Sequence, residues 1–174
     1  MIARLSRAAL WILLTAAPAW AGFEEGRRAY DRADYSVAYR EWLALAERGE
    51  AAAQFLVGFM HERGQSVPLD PAVAVTWYRR AAEQGDVHAQ FRLGFLFAFG
   101  RGVERDDVQA ADWYGRAAEQ GNRAAQAALD QLRAEGRLAG PGGSRESLLL
   151  RSAAERGAVA AQYQLALRYA SGEG

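Results

Sequence analysis

Trp77-Tyr78-Arg79-Arg80-Ala81-Ala82-Glu83-Gln84-Gly85-Asp86-Val87-His88-Ala89-Gln90 recurs in close copies on both sides of itself at one interval. Gly49, Gly85, Gly121 and Gly157 each end the same phrase, 36 residues apart three times running. The columns around them agree: Ala46, Ala82, Ala118, Ala154; Glu47, Glu83, Glu119, Glu155; Ala53, Ala89, Ala125, Ala161; Gln54, Gln90, Gln126, Gln162. A period of this length, held without slippage, predicts an all-α solenoid of about four helix-turn-helix repeats, each burying its apolar face against its neighbours. The expected units are 34–69, 70–105, 106–143 and 144–174, each a helix A followed by a helix B.

Outside the repeats, the chain opens with Arg4 and Arg7, an apolar run from Ala8 to Ala17, then Pro18 and Ala19-Trp20-Ala21. These are the three parts of a secretory signal peptide. The run is too short to cross a bilayer, and cleavage is expected between Ala21 and Gly22. The expected domains are therefore a cleaved segment 1–21 and a repeat domain 22–174, periplasmic or secreted, with no membrane contact after cleavage. Without residues 1–21, 19 of the 21 arginines face all 21 acids, a formal charge of −2. Such a balance offers no basic face for nucleic acid. The chain has no cysteine and no lysine, which excludes disulfides, a lipid anchor on cysteine, Schiff-base chemistry and the lysine of a phosphate-binding loop.

Along the chain, Phe23 to Arg32 reads as a first helix capping the array. Val37, Ala38, Trp42, Leu45 and Ala46 line one face of the next, which ends at Gly49. Ala51 to Arg63 is its partner. Asp70 as N-cap with Pro71 at the first helical position opens the second unit, Pro71 to Gln84, followed by Val87 to Phe99, rich in phenylalanine. Gly58 and Gly94 fall in mid-helix, where glycine costs roughly 1 kcal/mol and close approach of a neighbouring helix is the usual compensation. Asp106-Asp107 opens the third unit and Asn122 caps its second helix, but Asp130 and Arg133 break the pattern, and the following loop is glycine-rich. Ser144 is expected to cap the last helix A, 145–156, before a final helix from Val159 to about Ser171. With no polar capping helix after it, that last helix is a candidate for self-association or partner contact.

The polar columns have structural readings. The glutamates lie just before the N-terminus of helix B, whose free N–H groups attract carboxylates. The glutamines can tie loop backbone from an adjacent unit.

The phrase Ala-Ala-Glu-Gln-Gly-x-x-x-Ala-Gln-x-x-Leu-Gly, then an aromatic and a Gly-x-Gly-Val loop, resembles the Sel-1-like repeat of the tetratricopeptide class. Unit two carries it throughout, at Trp77, Tyr78, Ala81 to Gly85, Ala89, Gln90, Leu93, Gly94, Phe97, Gly100, Gly102 and Val103. Unit three departs at Asp130, Arg133 and Leu138. The resemblance implies a right-handed superhelix and a role in protein–protein contact, often in exported regulators or adaptors. It further implies that helix A lines a concave groove, where the non-packing positions are Arg40, Thr76, Arg80, Asp112, Arg116 and Arg151. Arg80 and Arg116 are equivalent positions, suited to carboxylates on a partner. Trp42, Trp77 and Trp113 read as inter-helix core.

Catalytic constellations are missing from the sequence. His61-Glu62 begins like a zinc-protease helix, but Gln65 stands where the second histidine belongs. His88 reads as a surface residue, and two histidines without cysteine make no transition-metal set. Ser144 lacks the second glycine of a nucleophile elbow. The expectation is a non-enzymatic module, without cofactor or metal, that binds an unidentified protein through its groove or its last helix. The alternatives are a binder of peptidoglycan or of its hydrolases, and a hydrolase using groove carboxylates.

Overall fold

The computed structural model of the chain describes residues 19–138, 150, 153–154 and 156–171. Its helices are α1 (Ala19–Asp31), α2 (Tyr35–Glu47), α3 (Ala51–Arg63), α4 (Pro71–Glu83), α5 (Val87–Phe99), α6 (Asp107–Glu119), α7 (Arg123–Ala134) and α8 (Val159–Ser171). No strand occurs among the described residues. The fold is an all-α helical repeat, with α2, α4 and α6 as helices A and α3, α5, α7 and α8 as helices B. The first helix starts earlier than its sequence suggests, at Ala19 rather than Phe23, and runs through the expected cleavage point. The segment 1–18, Ser144 and most of the expected helix 145–156 lie outside the described residues.

Several boundaries have a local cause. Asp70 accepts from the backbone N–H of Ala72 and Val73, both at 3.0 Å, directly before Pro71. Asp34, Asp106 and Asn122 cap α2, α6 and α7 in the same way. Helix B of units one and two stops at Gly64 and Gly100, both left-handed, whose N–H groups return to Met60 and Leu96 carbonyls. A side chain at such a φ would be strained, so these glycines fix where each helix B ends.

Packing follows from small residues in register. Ala53, Ala89 and Ala125 are fully buried and belong to the hydrophobic core. Gly58 and Gly94 confirm the expected close approach. A Cβ at Gly58 would lie 2.9 Å from Cδ1 of Tyr78, and one at Gly94 would lie 2.5 Å from Cδ1 of Tyr114. Helix B of one unit thus presents bare backbone to a tyrosine ring on helix A of the next. The same device opens the array: a Cβ on Gly26 of α1 would meet the Trp42 indole at 2.5 Å. Trp42 therefore belongs to the column of Tyr78 and Tyr114, not to that of Trp77 and Trp113, and its indole N–H donates to the Phe23 carbonyl at 3.3 Å.

The glutamine column behaves differently from its expectation. Gln54, Gln90 and Gln162 donate to the Ala46, Ala82 and Ala154 carbonyls at 3.0–3.1 Å, closing the C-terminus of helix A in their own unit. The link between units comes from the next helix A instead. Gln84 donates to Gln54 at 2.8 Å and Gln120 to Gln90 at 2.7 Å, because each glutamine amide has both a donor and an acceptor to offer. The glutamates Glu47, Glu83 and Glu119 stay exposed, while the α5 and α7 N-termini take Asp86 and Asn122 as caps.

Two alanine substitutions separate packing from helix propensity. Gly94→Ala forces a methyl into the Tyr114 ring and is expected to cost about 1–3 kcal/mol. Gly115→Ala, in α6 with nothing within 4 Å of its new Cβ, is expected to gain up to about 1 kcal/mol. Urea titration of both variants checks this, and equal effects of the same sign would refute the close-approach account.

Candidate interaction surfaces

The expected groove residues divide by column. Arg40, Thr76 and Asp112 are repeat equivalents on α2, α4 and α6, and Arg80 and Arg116 are equivalents one turn further on. Arg151 lies outside the described residues. Arg40 and Thr76 are exposed; the Arg40 guanidinium reaches Glu41 at 3.4 Å, and the Thr76 hydroxyl donates back to the Ala72 carbonyl at 3.3 Å.

Arg80 and Arg116 share one geometry. Arg80 lies over the Trp77 ring at 4.7 Å and Arg116 over the Trp113 ring at 4.6 Å. A cation over an indole face gains electrostatically and holds its long side chain in one orientation. The two differ in charge balance. Asp112 sits one turn before Arg116 and pairs with it at 2.9 Å, whereas Thr76 occupies that place before Arg80. The expected line of two equivalent cations is thus uneven, because an i,i+4 carboxylate neutralises one of them. Trp113 is buried and Trp77 half-buried, in keeping with their reading as inter-helix residues.

Glu62 is the polar residue that its sequence context concealed. Read as part of a broken zinc motif, it is in fact 8% exposed and ties three helices. The Tyr78 hydroxyl of α4 donates to it at 2.7 Å, and the Arg92 guanidinium of α5 lies 3.6 Å away. The signal was available, since the equivalent positions hold Ala98, Ala134 and Ala170, and one acid in an alanine column needs partners. Burial first, then the Glu62 carboxylate, holds the Tyr78 hydroxyl far above the usual tyrosine range. Burial pushes Tyr114 up to about 12. His61 is half-buried against Tyr39, its Nε2 3.1 Å from that hydroxyl, and burial pulls its imidazole below the ordinary value. His88 is exposed. Among the described residues, no group of three or more histidines, aspartates and glutamates gathers as a metal site would require, and no helix is long and apolar enough to cross a membrane.

The family model of the Sel1 repeat matches residues 51–86, 87–122 and 159–174. The chain belongs to the Sel1 repeat family. The first two matches begin at a helix B and run through the next helix A, so each family unit encloses one glycine–tyrosine contact. The unmatched stretch between the second and third matches contains Asp130, Arg133 and Leu138, the departures visible in the sequence.

Among solved structures, a Sel1 repeat protein from Oxalobacter formigenes is 36% identical over 65% of this chain and 88% of its own, with a TM-score of 0.60. A protective antigen of uropathogenic Escherichia coli with an SLR fold is 32% identical, with a TM-score of 0.66. That alignment covers 87% of this chain but 33% of the antigen, so the chain spans a third of its length. The Helicobacter pylori cysteine-rich protein B, 23% identical over 52% of this chain and 68% of its own with a TM-score of 0.51, shares the fold. A search of curated proteins returned no match. Sel1 repeat proteins are typically protein–protein interaction modules and generally non-catalytic scaffolds.

The buried tyrosines make a pH signature. An unfolded tyrosine loses its proton near pH 10, while folded Tyr114 keeps its proton to about 12. The folded pKa is raised, so its contribution is complete below pH 10 and is lost as pH climbs from 10 towards 12. Stability measured by urea titration is expected to fall over that window, and less steeply in Tyr114→Phe. Parallel slopes for the two proteins would contradict the assignment.

Proposed function

We propose that this Sel1 repeat chain is an exported, non-catalytic adaptor that holds a partner protein against its helix-A row at Arg40, Thr76, Arg80, Asp112 and Arg116. The observation that carries the reading is the repeated guanidinium over indole, Arg80 on Trp77 and Arg116 on Trp113. Stacking orders each arginine in advance, so less conformational entropy is lost when a carboxylate docks. Arg80, with Thr76 in place of an aspartate one turn earlier, is the position at which an incoming acid meets least competition. The N-terminal basic, apolar and small-residue segments support export to the periplasm.

In-cell crosslinking of the tagged protein in its native host tests both parts. A discrete captured protein is expected from the native chain, with loss of that capture in Arg80→Glu/Arg116→Glu at unchanged helicity, and an intact mass beginning at Gly22. Capture indifferent to the double substitution would remove the helix-A row from the proposal. Sedimentation with purified sacculi, without any captured protein, would move the function to the cell wall.

A further inference from the structure

The helix-B row carries a second surface with its own chemistry. Phe55 and Phe91 are repeat equivalents, as are Phe59 and Phe95, and Phe99 continues the stripe one turn beyond Phe95. The inner edges of these rings rest on the core, Phe55 against Tyr78 at 5.5 Å and Phe91 against Tyr114 at 5.7 Å. Their outer edges remain half-exposed, and Phe99, 4.7 Å from the Phe95 ring, is 59% exposed. A single exposed phenylalanine is ordinary; an aligned stripe of five over two adjacent helices marks a surface for contact.

Around the phenylalanines of α3 and α5 the exposed charges have one sign. Arg63 lies over the Phe59 ring at 4.7 Å and Arg101 over the Phe95 ring at 5.7 Å. Neither forms an ion pair among the described residues. Arg92 also lies over Phe59, at 5.7 Å, but its charge is directed to Glu62. That glutamate is the one acid in α3 and is buried, and α5 contains no acid at all. Along the array the cover changes. His88 lies 5.7 Å from Phe55, and with Arg92 it screens the Phe55–Phe59 pair. The equivalent positions one unit on are Ala124 and Ala128, so Phe91 and Phe95 lack that screen.

We propose that this face docks an acidic amphipathic segment of a partner protein, its carboxylates reaching Arg63 and Arg101 and its apolar side chains lying over Phe91, Phe95 and Phe99. The proposal rests on the chain being a protein-binding module, but not on the helix-A row. Charge complementarity selects the occupant: a basic segment meets two like charges and no exposed acid on α3 or α5. A membrane surface is the weaker fit, since the rings are anchored by their inner edges and the cations are few for an anionic bilayer.

The test uses the purified chain and two labelled synthetic peptides of the same helical pattern, one with leucine and glutamate, the other with lysine replacing glutamate. Fluorescence anisotropy is expected to show binding of the glutamate peptide and not of the lysine peptide. Arg63→Glu/Arg101→Glu is expected to weaken the glutamate peptide about tenfold or more and to admit the lysine peptide. Phe99→Ser, at an exposed site, is expected to weaken the glutamate peptide with helicity intact, while Arg80→Glu/Arg116→Glu leaves it unchanged. Equal binding of the two peptides, no binding of either, or indifference to Arg63→Glu/Arg101→Glu overturns the proposal. Sedimentation with phosphatidylglycerol vesicles that is lost in Arg63→Glu/Arg101→Glu would assign the face to lipid. A dimer broken by Phe99→Ser would assign it to a second copy. If crosslinking still captures a partner that depends on Arg80 and Arg116 while the glutamate peptide does not bind, this inference fails and the adaptor reading stands.

Discussion

The array depends on one contact, an aromatic ring on helix A laid against the bare backbone of the preceding helix B. Without a Cβ at Gly58 and Gly94, the Tyr78 and Tyr114 rings reach a depth that any larger residue would deny them. Glycine in mid-helix weakens the isolated helix, and the close packing that it permits offsets the loss. The buried tyrosine hydroxyl then imposes its own demand. Tyr78 meets it through Glu62, and Glu62 in turn draws Arg92 from α5. One missing side chain therefore organises a polar tie across three helices.

The glutamine ladder runs beside that contact from the first unit to the third. Gln54 and Gln90 each close their own helix A and receive a glutamine from the next unit. Gln126 instead turns outward to Asp130 at 3.0 Å. Asp130 occupies the column of Gly58 and Gly94 and pairs with Arg133 at the surface. A carboxylate at that column prefers water to a ring face, and the glutamine four residues earlier has followed it. The family match is interrupted over the same unit, so the local chemistry and the statistical pattern fail together.

Both exposed rows use the same device for holding a cation. On the helix-A row the guanidinium lies over tryptophan; on the helix-B row it lies over phenylalanine. The planar arginine suits this stacking better than the compact, strongly hydrated ammonium of lysine, and the chain contains arginine alone. The rows differ in what surrounds the cation. Asp112 answers Arg116 on the first, whereas the second has an aromatic stripe and no exposed acid on α3 or α5.

The period, the helix boundaries between Tyr35 and Ala134 and the membership of the repeat family were legible in the residues themselves, whereas the start of the first helix was not. Caps, turn glycines and buried alanines act through local backbone geometry or through a neighbour at fixed sequence distance, and both recur with the repeat. The surfaces were legible only in part. Arg80 and Arg116 could be read as equivalent, but not the indole beneath each, nor the neutralisation of one by Asp112. The direction of the glutamine bonds, the burial of Glu62 and the exposure of Phe99 depended on which side chains meet between units. A period records that positions are alike; which of them face water is decided by the angle at which one helix pair leans on the next. The repeat alone therefore determined the architecture, while the tertiary packing decided which cations and which aromatic edges remain available to a partner.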